Sequence, residues 1–70
     1  MDMRRLVGRN AKRFRLASGL SQEKLSELSG LTQQYISDLE RGLRNPTVVT
    51  LYELAVALKV SPVELIADDA

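Results

Sequence analysis

The chain contains no cysteine, no histidine and no tryptophan, and its only aromatic residues are Phe14, Tyr35 and Tyr52. Without cysteine there can be no disulfide and no thiolate metal site. Without histidine, the commonest zinc ligand and the commonest catalytic base are also missing. No metal and no cofactor are therefore expected. The Ser, Asp and Glu residues show no nucleophile with a base and an orienting third group, and no glycine-rich phosphate loop is present. No catalytic residues and no enzyme activity are expected. The apolar runs are only a few residues long, too short for a helical membrane span, and no segment has the charged-then-apolar pattern of a signal peptide. The missing cysteines fit a reducing compartment, and a cytoplasmic location is expected.

Seventy residues make one domain at most, 1–70, with a core over about 3–67. A chain of this size buries only roughly 60% of its unfolded surface. With no staple to help, tight helix packing, oligomerisation or both must stabilise it. A separate ligand-sensing domain has no room, so no small-molecule ligand is expected. Control is expected to come from protein concentration and dimerisation.

The net charge is +1, but it is unevenly spread. Residues 1–45 carry nine Lys/Arg against five Asp/Glu, a balance of +4, whereas residues 46–70 carry Lys59 against four acids, a balance of −3. A molecule polarised in this way can turn a positive face toward a polyanion. The same distribution also suits solvated helix surfaces, and this is the reading taken for Arg4, Arg5, Arg9 and Lys12.

Helical punctuation dominates the chain. Met3, Val7, Ala11 and Phe14 recur at helical spacing until Ser18-Gly19 stops the run. Ser21 is an N-cap with Glu23 in the first turn, Leu25 and Leu28 share a face, and Gly30 closes this second helix. Thr32 caps a third helix from Gln33 to about Arg41, with Ile36 and Leu39 inward and Gly42 as its stop. Pro46 disfavours a helical Asn45, so Leu43 to Pro46 reads as a loop. Thr47 opens a fourth helix to about Lys59, with Leu51, Leu54, Ala55 and Leu58 on one face. Ser61-Pro62-Val63-Glu64 starts a short fifth helix carrying Val63, Leu65 and Ile66. Asp68-Asp69-Ala70 reads as a frayed tail. The expected fold is all-α, five short helices, with no strand, repeat or linker.

The second and third helices, joined across Ser29-Gly30-Leu31-Thr32, are too short to stand alone. Leu25, Leu28, Leu31, Ile36 and Leu39 are the residues expected to pack them onto their neighbours. The opposite edge of the third helix is polar: Gln33, Gln34, Ser37, Asp38 and Arg41. Glutamine can pair with adenine through N6 and N7, and the N-terminal residues of the second helix in such a pair reach base edges in the major groove.

Several short stretches at this spacing resemble the Cro and phage-repressor (Xre-type) helix-turn-helix family. They are Gly19-Leu20-Ser21-Gln22, Leu25, Gly30, Thr32-Gln33-Gln34, Ile36, Leu39-Glu40-Arg41-Gly42, Asn45-Pro46, Leu51, Leu54-Ala55, Leu58, Val60-Ser61 and Leu65. The resemblance covers about Val7 to Ile66. Tyr35-Ile36-Ser37 and Glu40 through Thr47 are similar to the controller proteins of restriction–modification systems. The resemblance implies a lambda-repressor-like domain that binds double-stranded DNA through its second and third helices. It implies base contacts from Gln33, Gln34 and Asp38, with Ser37 on the same face and Tyr35 as an aromatic contact of the controller branch. Tyr35 is equally placed to pack over the core. The resemblance further implies backbone contacts from Gln22, Arg41, Arg44 and Asn45, and a structural ion pair between Arg15 and Glu40. Thr32 is read first as a cap, and a cap beside a phosphate can serve both roles. Three roles stay open for Asp38: accepting from a cytosine amine, repelling wrong sites, or orienting Arg41.

The fourth helix carries Val48, Val49, Tyr52 and Val56 beyond its inward stripe. Some of these can pack on the first helix, and the surplus points to a subunit interface. A homodimer through Val49, Tyr52, Val56 and Val63 is expected, reading a near-palindromic site. The leading function is a sequence-specific transcriptional regulator. The alternatives are a DNA-binding antitoxin or subunit of a larger complex, or a protein-interaction bundle that binds no DNA.

Overall fold

The computed structural model describes residues 2–68; the expected frayed end at Asp69 and Ala70 lies outside the described residues. It contains five helices: α1 (Met3–Ala17), α2 (Gln22–Ser29), α3 (Gln33–Glu40), α4 (Val48–Leu58) and α5 (Pro62–Ile66). No strand occurs among the described residues.

Each helix starts at a side chain that satisfies an otherwise orphaned N–H. Asp2 accepts from the Arg4 N–H, Ser21 from Lys24, Thr32 from Tyr35, Thr47 from Thr50 and Ser61 from Val63. At α5, Glu64 also reaches back to the Ser61 N–H at 2.8 Å, completing a reciprocal cap. Helix ends are equally local. Gly30 adopts the left-handed conformation (φ 79°) that turns α2 into α3. The end of α4 departs from expectation, because Lys59 itself takes a left-handed conformation (φ 60°) without being glycine.

The core joins Val7 and Ala11 of α1, Leu25 of α2, Ile36 and Leu39 of α3, Leu54, Ala55 and Leu58 of α4, and Leu65 of α5. Helix α1 packs on α3 and α5, α2 on α3 and α4, and α4 on α5. Neither α2 nor α3, at eight residues each, has enough turns to hold itself. The shared core is what fixes their mutual angle.

Three expectations about the core change. Leu28 is not inward but about half exposed. The inward stripe of α2 is Leu25 and Ser29, four residues apart, and the Ser29 hydroxyl accepts the Leu31 N–H inside the turn. Leu28 instead borders a groove with Leu20 and Ala57. Met3 is also exposed, and among the α5 side chains Leu65 is the buried one while Val63 and Ile66 face out. The α1 stripe is rotated from the expected one, burying Leu6, Val7, Gly8, Asn10, Ala11 and Arg15.

Two α1 residues make long-range backbone contacts. The fully buried Asn10 donates its side-chain amide to the carbonyls of Ala67 (2.9 Å) and Leu65 (3.0 Å), occupying acceptors at the end of α5. Gly8 lies against the last turn of α3, where a Cβ would overlap the Leu39 carbonyl oxygen and crowd that of Glu40. Backbone cannot swing aside as a side chain can. Gly8→Ala is therefore expected to destabilise the fold by about 1–3 kcal/mol, read from urea unfolding midpoints. An unchanged midpoint contradicts this close approach of α1 to α3.

Candidate nucleic-acid interface

The buried side of α3 determines its exposed side. Ile36 and Leu39 are completely buried, so the other edge of the helix faces out. Gln33 and Gln34, in the first turn, are exposed. Tyr35, Ser37 and Asp38 are half-buried along the same helix, and Arg41, which closes it, is exposed. The arrangement is an amide-rich helix N-terminus with guanidinium groups at the far end. Hydrogen-bond donors and acceptors are offered along a helix narrow enough for a DNA major groove.

Side chains on this edge are connected. Asp38 Oδ1 accepts from Gln34 Nε2 at 2.9 Å and from Arg41 Nη2 at 2.6 Å, while Oδ2 accepts from Arg44 Nη2 at 3.3 Å. The Arg44 guanidinium lies over the Tyr35 ring, 5.1 Å from its centroid. Gln34, Tyr35, Asp38, Arg41 and Arg44 therefore form one cluster. Of the roles open for Asp38, orienting Arg41 is the one its contacts match in the free chain, and Arg44 and Gln34 are oriented with it. The hydrogen bond from Gln34, followed by that from Arg41, holds the Asp38 carboxyl below its ordinary value of 3.8.

A second cluster lies behind the first. Arg15 and Glu40 form a two-pronged ion pair, Nε to Oε2 at 2.6 Å and Nη2 to Oε1 at 2.9 Å, with side chains only 9% and 3% exposed. Arg15 also donates to the Leu20 carbonyl at 2.8 Å. Gln22, first in α2, donates to Glu40 Oε1 at 3.1 Å. The side chain expected to hold a DNA phosphate is thus tethered to the structural pair. One of its two amide hydrogens is used, and the other stays available to a ligand. The Glu40 hydrogen bond raises the Arg15 pKa still further, so the guanidinium stays charged.

Of the remaining expected residues, Thr32 acts as the α3 cap and is exposed. Asn45 is exposed beside Pro46 and shares a groove with Met3, Arg4, Leu51 and Ile66, outside the Asp38 cluster. Val49, Tyr52, Val56 and Val63 are each more than half exposed. None of the expected surplus on α4, Val48 included, is covered by α1. The link from Gln22 to Glu40 was not foreseen. The glutamine-to-carboxylate pairing spans two helices, and only the resemblance of Arg15 and Glu40 hinted at a charge there.

Residues 12–65 match the helix-turn-helix family HTH_3. The chain belongs to that helix-turn-helix family. It is a DNA-binding transcriptional regulator. It is 64% identical over 66 residues to the uncharacterised HTH-type transcriptional regulator y4dJ of Sinorhizobium fredii, covering 94% of this chain and 86% of that one. It is 42% identical to the control protein C.SmaI of Serratia marcescens, covering 94% and 79%. The crystal structure of the restriction–modification controller protein C.AhdI from Aeromonas hydrophila superposes with a TM-score of 0.86 at 44% identity, covering 89% of this chain and 94% of that one. The resemblance to Xre-type proteins and to the controller branch is borne out, as is the all-α five-helix architecture.

Two outcomes follow from the clusters. Arg15→Ala leaves Glu40 buried without its cation and is expected to cost roughly 3–5 kcal/mol in chemical unfolding. A variant as stable as the parent shows that the pair contributes nothing net. The depressed Asp38 carboxyl stays charged at neutral pH, and the contacts that need its charge are lost only as the pH falls below 3.8. Carboxyl NMR titration is expected to place its midpoint below 3.8, with Gln34→Ala moving it upward. A midpoint at or above 3.8 contradicts the Gln34 and Arg41 bonds.

Proposed function

We propose that the protein is a regulator that binds a near-palindromic operator as a homodimer, with α3 of each copy in the major groove. The observation that carries this reading is the exposed edge of α3, where Gln33 and Gln34 stand free of the core beside the Asp38–Arg41–Arg44 cluster. Gln33 and Gln34 contact base edges, with Tyr35, Ser37 and Asp38 alongside them. Gln22 and Thr32 meet phosphates at the N-termini of α2 and α3, where backbone N–H groups and the helix dipole favour an anion. Arg41, Arg44 and Asn45 contact the backbone beyond the recognition helix. Arg15 and Glu40 act as a structural pair.

The dimer rests on two supports. Val49, Tyr52 and Val56 share one face of α4, and Val63 of α5 adds a further exposed apolar side chain. The second is reach. One chain is only 30 Å in its longest dimension and offers one α3, whereas successive major grooves on one side of B-DNA are about 34–36 Å apart. Two copies joined through α4 and α5 supply the spacing. The controller branch of the family, in which the named relatives C.SmaI and C.AhdI fall, supports a small regulator of this kind. The protein works in the cytoplasm, without cofactor, small-molecule ligand or catalytic activity.

Selection from random duplexes, followed by binding and sedimentation on the winning duplex, tests the reading. One near-palindromic sequence is expected, bound by two chains, with affinity falling as salt rises because phosphate contacts release counterions. Gln33→Ala should relax one base position in each half-site by roughly 1–3 kcal/mol, while Asn45→Ala, outside the Asp38 cluster, weakens all sequences alike. No enriched sequence, or a single chain on each duplex, contradicts it.

A further inference from the structure

Asp38 carries a negative charge on the edge of a helix assigned to a polyanion. Its charge opposes binding, so its presence there calls for a role that offsets the repulsion. Its hydrogen bonds point to one. We propose that Asp38 is a positioning residue that fixes the Gln34 side-chain amide so that it reads adenine and rejects guanine; this rests on the DNA-reading role given to α3 above.

A glutamine amide has two N–H donors and one carbonyl acceptor, and rotation about its last torsion exchanges the two ends. Unrestrained, it can offer donors or an acceptor to a base. An ionised carboxylate only accepts. Asp38 Oδ1 therefore holds Gln34 Nε2, at 2.9 Å, and repels the carbonyl end. One orientation of the amide survives. In it one N–H is taken, and what remains is one donor and the carbonyl acceptor.

That remainder matches one purine. In the major groove adenine shows an acceptor at N7 and a donor at N6, and guanine shows two acceptors, N7 and O6. One donor and one acceptor satisfy adenine. Against guanine, the fixed carbonyl oxygen faces O6, and no second N–H is left to replace it. Arg41 Nη2 on the same Oδ1 and Arg44 Nη2 on Oδ2 keep the carboxylate from turning away. Arg44 is itself held over the Tyr35 ring. The carboxylate is thus held by two guanidinium groups, and its restraint passes to Gln34.

The test measures binding of the full chain to the selected duplex and to a series carrying each base at every position. Wild type, Gln34→Ala, Asp38→Asn and the double variant are compared at fixed salt after their thermal melts are matched. At the position whose preference Gln34→Ala removes, wild type is expected to favour adenine over guanine by about tenfold or more. Asp38→Asn should bring that ratio to near unity while tightening binding to unrelated DNA, and the double variant should lose nothing further there. In the free protein, the Gln34 side-chain amide signals should shift in Asp38→Asn while those of Gln33 stay in place. An unchanged purine ratio, a changed preference at a different position, or unmoved Gln34 signals overturns the proposal and leaves the regulator reading standing. A wild-type chain with no sequence preference overturns both.

Discussion

The Arg15–Glu40 ion pair is the constraint on which the rest of the molecule depends. It joins the last turn of α1 to the end of α3, and through the Leu20 carbonyl and Gln22 it reaches the approach to α2 and its first residue. Burying two charges is costly, and apolar replacements are often as stable. A pair of this kind is better understood as a geometric device. Its two-pronged hydrogen bonds tolerate little displacement, so the N-terminus of α2 and the C-terminus of α3 are held in one register. Gly8, pressed against the Leu39 and Glu40 carbonyls, brings α1 close enough for the pair to form.

With that register fixed, the remaining organisation follows from burial. Leu25, Ile36 and Leu39 supply the inner surface of the helix-turn-helix, and α4 and α5 close the core beneath it through Leu54, Leu58 and Leu65. The outward edge of α3 is left largely to polar residues. Two carboxylates of α3 divide the work between them. Glu40, facing inward, ties helices together, and Asp38, facing outward, gathers the groups assigned to DNA. The apolar face of α4 is left uncovered within one chain, and its placement away from the buried stripe leaves it available to a second copy.

Much of this was legible in the sequence wherever the cause is local. Ser21, Thr32, Thr47 and Ser61 mark helix starts because a cap bonds a backbone group only two or three residues away, and Gly30 marks a turn that needs a left-handed residue. The inward role of Ile36 and Leu39, and hence the exposed edge bearing Gln33 and Gln34, follows from helical periodicity. What was not legible depends on contacts far along the chain. Asn10 caps carbonyls of α5 more than fifty positions away, and nothing near it in sequence signals a buried amide. Gly8 reads as an ordinary helix residue until α3 arrives. Leu28 was misplaced because three residues from Leu25 is nearly the same face, and in an eight-residue helix the tilt set by the following turn decides which neighbour is inward. Lys59 gave no sign of its left-handed backbone. Asp38 was open to several roles because its partners Gln34, Arg41 and Arg44 lie on both sides of it, and only the fold brings all three to one carboxylate.

The central claim is that a rigidly mounted α3 presents its outer edge to DNA. The most direct measurement is chemical-shift mapping of the labelled protein titrated with its selected duplex. The account predicts that the largest changes fall on Gln22, on Gln33 to Asp38 and on Arg41 and Arg44, while Arg15, Glu40 and the core leucines keep their free-state signals. Changes centred on α1 or α5 with α3 silent, or a wholesale rearrangement of the Arg15–Glu40 pair on binding, would contradict it.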